Sequence, residues 1–192
     1  MRDYFSKTAA ECAIAIVCLA HVAGAQAPPA TASASTVVAN PTYISIPLEI
    51  MVNRPAAEVW KRVGKYCDIG EWLQVPCTIT SGKDGEFGAT RSVGSEILVG
   101  KTELSYTYTQ PVREGRPYNL YHGTLEARPV TATTSKLVYT LIFDNSILPD
   151  DAAREKDRAQ RAARFTQALE NMKILAEGGT LPPAPARGGP PK

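Results

Sequence analysis

Across residues 77–143 the apolar side chains recur at every second position, and residues 150–177 then run without a single glycine or proline. Period two over short segments marks half-buried strands, and an uninterrupted run closed by stop signals marks a helix. Such a chain must set several antiparallel strands, joined by short turns, beside one long helix. The strands read as 104–110, 118–127 and 136–143, separated by Gly, Pro, Thr and Ser turns. Val93-Gly94-Ser95-Glu96 predicts a two-residue hairpin of type II′, with glycine at its first central position. Gly100-Lys101 reads as another hairpin turn. The long helix opens after Pro149 with acidic residues and stops at Gly178-Gly179. Its apolar stripe is Ala162, Phe165, Leu169, Met172 and Ala176. Arg154, Lys156, Arg158, Arg161 and Arg164 crowd its first half and read as a solvated face paired with Glu155 and Asp157.

Upstream, residues 43–52 alternate, with Ile44, Ile46, Leu48, Ile50 and Val52 on one face. Asn53-Arg54-Pro55 then starts a helix, Asn53 serving as its cap, with Ala56, Val59, Trp60 and Val63 on the buried side. A short helical stretch over 68–73 follows.

The ends have a different composition. Residues 1–25 carry Arg2 and Lys7, an apolar run over 12–20 and the small-residue pattern Ala23-Gly24-Ala25, which together read as a signal peptide cleaved after Ala25. The apolar run is about half the roughly 20 residues a membrane span needs. Residues 26–40 and 180–192 are Ala, Pro, Thr, Ser and Gly spacers, leaving one domain over 41–179. Processing removes Cys12 and Cys18, so Cys67 and Cys77 are left as a pair in an oxidising compartment, periplasmic or secreted. A disulfide closing about 11 residues would stabilise the fold by roughly 3 kcal/mol. Two buried thiols or a redox-active pair are the alternatives.

Of the 192 residues, 21 are Lys or Arg and 19 Asp or Glu, with no basic block, so nucleic acid is not an expected partner. The sequence has two histidines, His21 and His122, and lacks CxxC, HExxH and calcium-loop patterns. No metal or cofactor is expected.

Several segments carry a family likeness. They are Val52-Asn53-Arg54-Pro55-Ala56-Ala57-Glu58-Val59-Trp60, Phe87-Gly88-Ala89-Thr90-Arg91, Glu96-Ile97-Leu98 and Tyr106-Thr107-Tyr108. In that order they resemble the START, polyketide cyclase/dehydrase and birch-pollen-allergen superfamily, also called SRPBCC. The resemblance implies an α+β helix-grip fold. In that fold a curved antiparallel sheet of six or seven strands wraps a long C-terminal helix, with two short helices after the first strand. It also implies a cavity for a small hydrophobic molecule between sheet and helix.

Strand parity selects the residues that face this cavity. In the hairpin at Gly94, Val93 opposes Glu96 and Arg91 opposes Leu98, so the four share a face with Arg91 and Glu96 as diagonal neighbours; Leu104 likewise shares a face with Tyr106 and Tyr108, and Tyr121 with Gly123 and Leu125. The face of Tyr139 holds Leu137, Leu141 and Phe143, while His122 points the other way. The candidate ligand-binding set is therefore Arg91, Glu96, Tyr106, Tyr108, Tyr121 and Tyr139, with Phe165 and Leu169 from the helix. The resemblance likewise puts the positions of Arg91, Glu96 and Tyr121 near ligand. Two readings of Arg91 and Glu96 stand: Arg91 anchors an anionic or polar end of a ligand, or the two residues pair with each other inside a closed core. Function divides the same way. The chain is an exported carrier or sensor of a hydrophobic ligand, a cyclase/dehydrase-like enzyme using Glu96, or an interaction domain with a vestigial cavity.

The mature protein should begin at Gln26 and be lighter than its reduced form by two thiol hydrogens. Intact mass with and without reductant measures this, and two alkylatable thiols in the native protein would disprove the disulfide.

Overall fold

The computed structural model describes residues 38–184. The expected signal segment, and most of the expected linker and tail, lie outside the described residues. The elements are β1 (Tyr43–Val52), α1 (Ala56–Val63), α2 (Ile69–Trp72), β2 (Ile79–Ser81), β3 (Thr90–Arg91), β4 (Glu96–Thr102), β5 (Ser105–Thr109), β6 (Asn119–Pro129), β7 (Ser135–Asp144) and α3 (Asp151–Ala176). The strands form one seven-stranded antiparallel sheet in the order β1-β7-β6-β5-β4-β3-β2. Consecutive strands β1 and β2 thus lie at opposite edges, and α1 and α2 form the connection between them. This is the α+β helix-grip arrangement.

Register turns the period-two pattern into one apolar surface. Ile46 faces Leu141, Leu48 faces Tyr139 and Ile50 faces Leu137 across β1 and β7. Leu125 continues the row beyond Tyr139, and Tyr106 beyond Leu125. Against this surface α3 lays Phe165, Leu169 and Met172, all buried. Each such side chain contributes about 1.5–3 kcal/mol of transfer free energy. Tyr106, Tyr108, Tyr121 and Tyr139 are buried on this side as parity requires. His122 is only half-buried, and its Nδ1 bonds the Leu120 carbonyl at 2.9 Å.

The helix ends carry the signals read from the sequence. The Asp150 carboxylate accepts the Ala153 N–H at 2.7 Å as N-cap, offsetting one unpaired donor of the first turn. At the far end Gly178 takes φ +91° and the Gly179 N–H reaches the Ile174 carbonyl at 2.8 Å. Leu181 still packs against the core, and the Pro182 carbonyl accepts from Gln74 at 2.7 Å. Cys67 and Cys77 are disulfide-bonded, tying the start of α2 to the chain that leads into β2. Pro47 sits opposite Thr140 in the middle of β1, the outer strand of the sheet.

Three local expectations are corrected. The hairpin at Gly94 has positive φ at both Gly94 and Ser95, which makes its turn type I′ rather than II′. Its pairing places Arg91 directly opposite Glu96 rather than diagonal to it. That shift is by two residues, so both side chains keep their face. Gly100 and Lys101 are not a turn but part of β4, which pairs with β5 past a bulge between Leu98 and Gly100. The reversal comes at Glu103-Leu104, between the paired residues Thr102 and Ser105. A bulge adds twist without ending pairing, which the glycine in the sequence had concealed. Finally, Asn53 does not cap α1, whose N-cap is Pro55 without a side-chain bond. The Asn53 N–H instead donates to Glu177 Oε1 at 2.8 Å, holding the end of β1 to the end of α3.

Gly123 lies opposite Tyr108, and a Cβ there would come within 2.4 Å of the tyrosine ring. Gly123→Ala should therefore lower stability by about 1–3 kcal/mol through overpacking. A lower denaturant midpoint at unchanged slope reports it, and Tyr108→Leu in the same chain should recover part of the loss.

Candidate functional site: a cavity beside a buried arginine

The centre of the sheet is filled rather than hollow. The Tyr108 and Tyr139 hydroxyls share a hydrogen bond of 2.8 Å, the rings of Tyr139 and Phe165 are 4.8 Å apart, and Trp72 meets Tyr139 edge-on at 6.1 Å. Burial pushes the hydroxyl pKa of Tyr108 and Tyr139 well above the ordinary tyrosine value, so both remain neutral.

Beside this plug stands Arg91, 0% exposed. Its Nε donates to Glu96 Oε2 at 2.7 Å, and its Nη2 lies 2.6 Å from the same oxygen. Nη1 donates to the Tyr66 carbonyl and to the Tyr106 hydroxyl. The guanidinium also lies over the rings of Tyr66 at 4.2 Å, Tyr108 at 4.7 Å and Tyr106 at 5.5 Å. Planar and delocalised, it suits both the carboxylate and the aromatic faces, which an ammonium would not. Burial pushes the Glu96 carboxyl above the usual range, against the opposing pull of Arg91 and of the Gln110 hydrogen bond.

Glu96 has a second side. A cavity of about 380 Å³ opens between the N-terminal half of α3, α2, the β3–β4 hairpin and the segment joining β5 to β6, and Glu96 lines it. Glu96 Oε1 accepts from Gln110 Nε2 at 2.8 Å, and Gln110 Oε1 accepts from the Tyr118 hydroxyl at 2.6 Å. Above Tyr118 lies Arg161, its guanidinium 4.3 Å from that ring and 4.7 Å from that of Phe143. Asp157 pairs with Arg161 at 2.9 Å, and each of the two side chains is only 16% exposed. One wall of the cavity is apolar, with Ile69, Leu73, Tyr121 and Phe165. Its mouth carries the exposed Arg116 and Arg164. Gly94 shapes the floor, because a Cβ there would approach Gln110 Nε2 to 2.7 Å.

Of the residues expected from the sequence, Glu96, Tyr121 and Phe165 line this cavity. Arg91, Tyr108, Tyr139 and Leu169 are gathered behind it in the packed interior, and Tyr106 lines a second cavity. The expectation that Arg161 lies on a solvated face with its neighbours is corrected, since Arg161 covers an aromatic floor inside the site. Its signal was present, because Arg161 stands four residues before Phe165 and eight before Leu169 on the buried stripe. Gln110 was also legible, as the next residue in parity after Tyr106 and Tyr108. Tyr118 had no such signal, because it precedes the bulge between Asn119 and His122 that resets the strand.

Arg91→Met should cost about 3–5 kcal/mol, because it leaves the Glu96 carboxylate buried without its cation. Adding Glu96→Gln should recover much of that loss. Denaturation of the two single variants and the double variant completes the cycle; additive losses would show that the pair is not coupled.

Neither a family model nor a curated protein sequence matches the chain. Solved structures do match. A protein from Thermobifida fusca is 24% identical with a TM-score of 0.58, over 71% of this chain and 97% of that one. The ZhuI aromatase/cyclase from Streptomyces is 16% identical with a TM-score of 0.57, over 72% of this chain and 100% of that one. The di-domain ARO/CYC BexL is 18% identical with a TM-score of 0.53, over 70% of this chain and 46% of that one. The chain has the helix-grip fold of these structures.

Proposed function

We propose that the protein is an exported, non-enzymatic binder of a small amphipathic molecule, held in the cavity beside Glu96 with an anionic end at the mouth. The observation that carries this reading is the distribution of charge around an apolar wall. Arg91 neutralises Glu96 and Asp157 neutralises Arg161, which leaves Arg116 and Arg164 as the excess positive charge where the cavity opens. Ile69, Leu73, Tyr121 and Phe165 would bury the apolar body, the usual division of labour in a ligand pocket. The cation that meets the ligand is then not Arg91 but the pair at the mouth. Arg91, Tyr106, Tyr108, Tyr139 and Leu169 support the site from behind.

A cyclase-like reading has the fold of aromatase/cyclases and the raised pKa of Glu96 in its favour. General acid–base work needs a group aimed at the substrate. Glu96 already engages both oxygens inside the protein, Oε2 with Arg91 and Oε1 with Gln110, and binding is the better account. Export rests on the signal segment and agrees with the Cys67–Cys77 disulfide. Among the described residues no helix is long and apolar enough to cross a membrane.

Two fluorescent compounds of similar shape test the charge argument: anilinonaphthalene sulfonate, which is anionic, and N-phenylnaphthylamine, which is neutral. Arg116→Gln with Arg164→Gln should weaken the sulfonate about tenfold, as expected for two partly exposed cations, and leave the neutral compound unchanged. Equal weakening of both, or of neither, would remove the anionic end from the proposal.

A further inference from the structure

The polar groups on the floor of the larger cavity form a chain whose direction is fixed from one end. Glu96, paired with Arg91 through Oε2, is a carboxylate and can only accept. The group that meets its Oε1 at 2.8 Å must therefore be the amide nitrogen of Gln110 and not the amide oxygen. This turns Gln110 Oε1 toward the Tyr118 hydroxyl, 2.6 Å away, and an amide oxygen also can only accept. Tyr118 thus commits its single proton to Gln110. The buried ion pair decides, two hydrogen bonds away, which way a hydroxyl on the cavity wall points.

The chain leaves one donor and one acceptor unused. Among the described residues Gln110 Nε2 and the Tyr118 hydroxyl make one hydrogen bond each. The amide nitrogen therefore keeps a second N–H, and the Tyr118 oxygen keeps lone pairs but has no proton to give. Both residues line the cavity and both are half-buried, so a bound molecule can reach them. Gly94 keeps the space beside the amide open, because a Cβ there would stand 2.7 Å from Nε2. The Tyr118 ring is held in place by the Arg161 guanidinium over it at 4.3 Å and by the Tyr121 ring, with centroids 5.1 Å apart.

The geometry points to a subsite for a ligand hydroxyl at Gln110 and Tyr118, so that the molecule bound in this cavity is a hydroxylated amphipathic anion. The hydroxyl accepts from the spare Gln110 N–H and donates to the Tyr118 oxygen. An ether or a ketone could only accept and an ammonium could only donate, so each would use half of the pair. Gln110 acts on the ligand twice, through its own N–H and, as a positioning residue, by holding the Tyr118 proton away. The inference rests on the reading of this cavity as a site for an amphipathic anion, and adds the polar group that the apolar body carries.

Naphthalene sulfonate, its methoxy derivative and its hydroxy derivative, each substituted at the ring position farthest from the sulfonate, test this by titration calorimetry. The hydroxy compound should bind about fivefold to tenfold more tightly than the other two, the worth of one or two hydrogen bonds to neutral groups. Tyr118→Phe should remove that advantage. Gln110→Leu releases the Tyr118 proton, so the methoxy compound should gain on the parent and reach the affinity of the hydroxy compound, a change of selectivity that a merely structural role would not produce. Equal binding of all three compounds by the unaltered protein would overturn the hydroxyl subsite and leave the anion site standing. A hydroxyl preference that survives both Tyr118→Phe and Gln110→Leu would also overturn it. Absence of saturable binding by any of the three would overturn the subsite and the reading beneath it together. A preference that is kept while binding ignores Arg116→Gln with Arg164→Gln would uphold the hydroxyl subsite and overturn only the anionic end.

Discussion

The Arg91 guanidinium is the point on which the rest of the interior turns. It is a full charge at zero exposure, and a lone ion in such a place would be untenable. The protein surrounds it with a carboxylate, a backbone carbonyl and three aromatic faces, drawn from three parts of the chain. Glu96 comes from β4, Tyr66 from the segment between α1 and α2, and Tyr106 and Tyr108 from β5. Satisfying one side chain thus fixes the hairpin, the helical connection and the middle of the sheet relative to each other. A buried ion pair adds less net stability than an apolar replacement often would, yet it penalises every arrangement in which one partner is missing.

That constraint also separates the two cavities. Glu96 looks into the larger one, Tyr66 and Tyr106 into the smaller, and Arg91 binds all three. Neither cavity reaches the centre of the sheet, because Tyr108, Tyr139 and Phe165 close it. Gly123 is what allows this closure, since only a residue without a Cβ leaves room for the Tyr108 ring. The cavity expected between sheet and helix is here divided by the chain's own tyrosines.

Much of this was legible in the sequence because period two is a robust signal. The hairpin at Gly94 is wrong in turn type and offset by two residues from the expected pairing, yet Arg91 and Glu96 face inward all the same. Parity survives an even shift, and a site argued from faces survives with it. What failed were statements that depend on local chemistry meeting distant partners. Arg161 reads as a surface base in a run of bases, and only the tertiary fold shows that Tyr118, Tyr121 and Phe143 wait beneath it. Asn53 reads as a cap, and is claimed by Glu177 from the other end of the chain. Bulges defeated the boundaries for a similar reason, since one extra residue leaves no mark on composition.

Pro47 gives the outermost strand a property of another kind. β1 is ten residues long and lies at the border of the sheet, a length that would make a good template for a second copy of the chain. A proline at its midpoint removes a donor from that border. An incoming strand could pair with either half of β1 but not run through both. Among the described residues Pro47 is thus a guard against edge-to-edge pairing, and replacing it would be a change felt between molecules before it was felt within one.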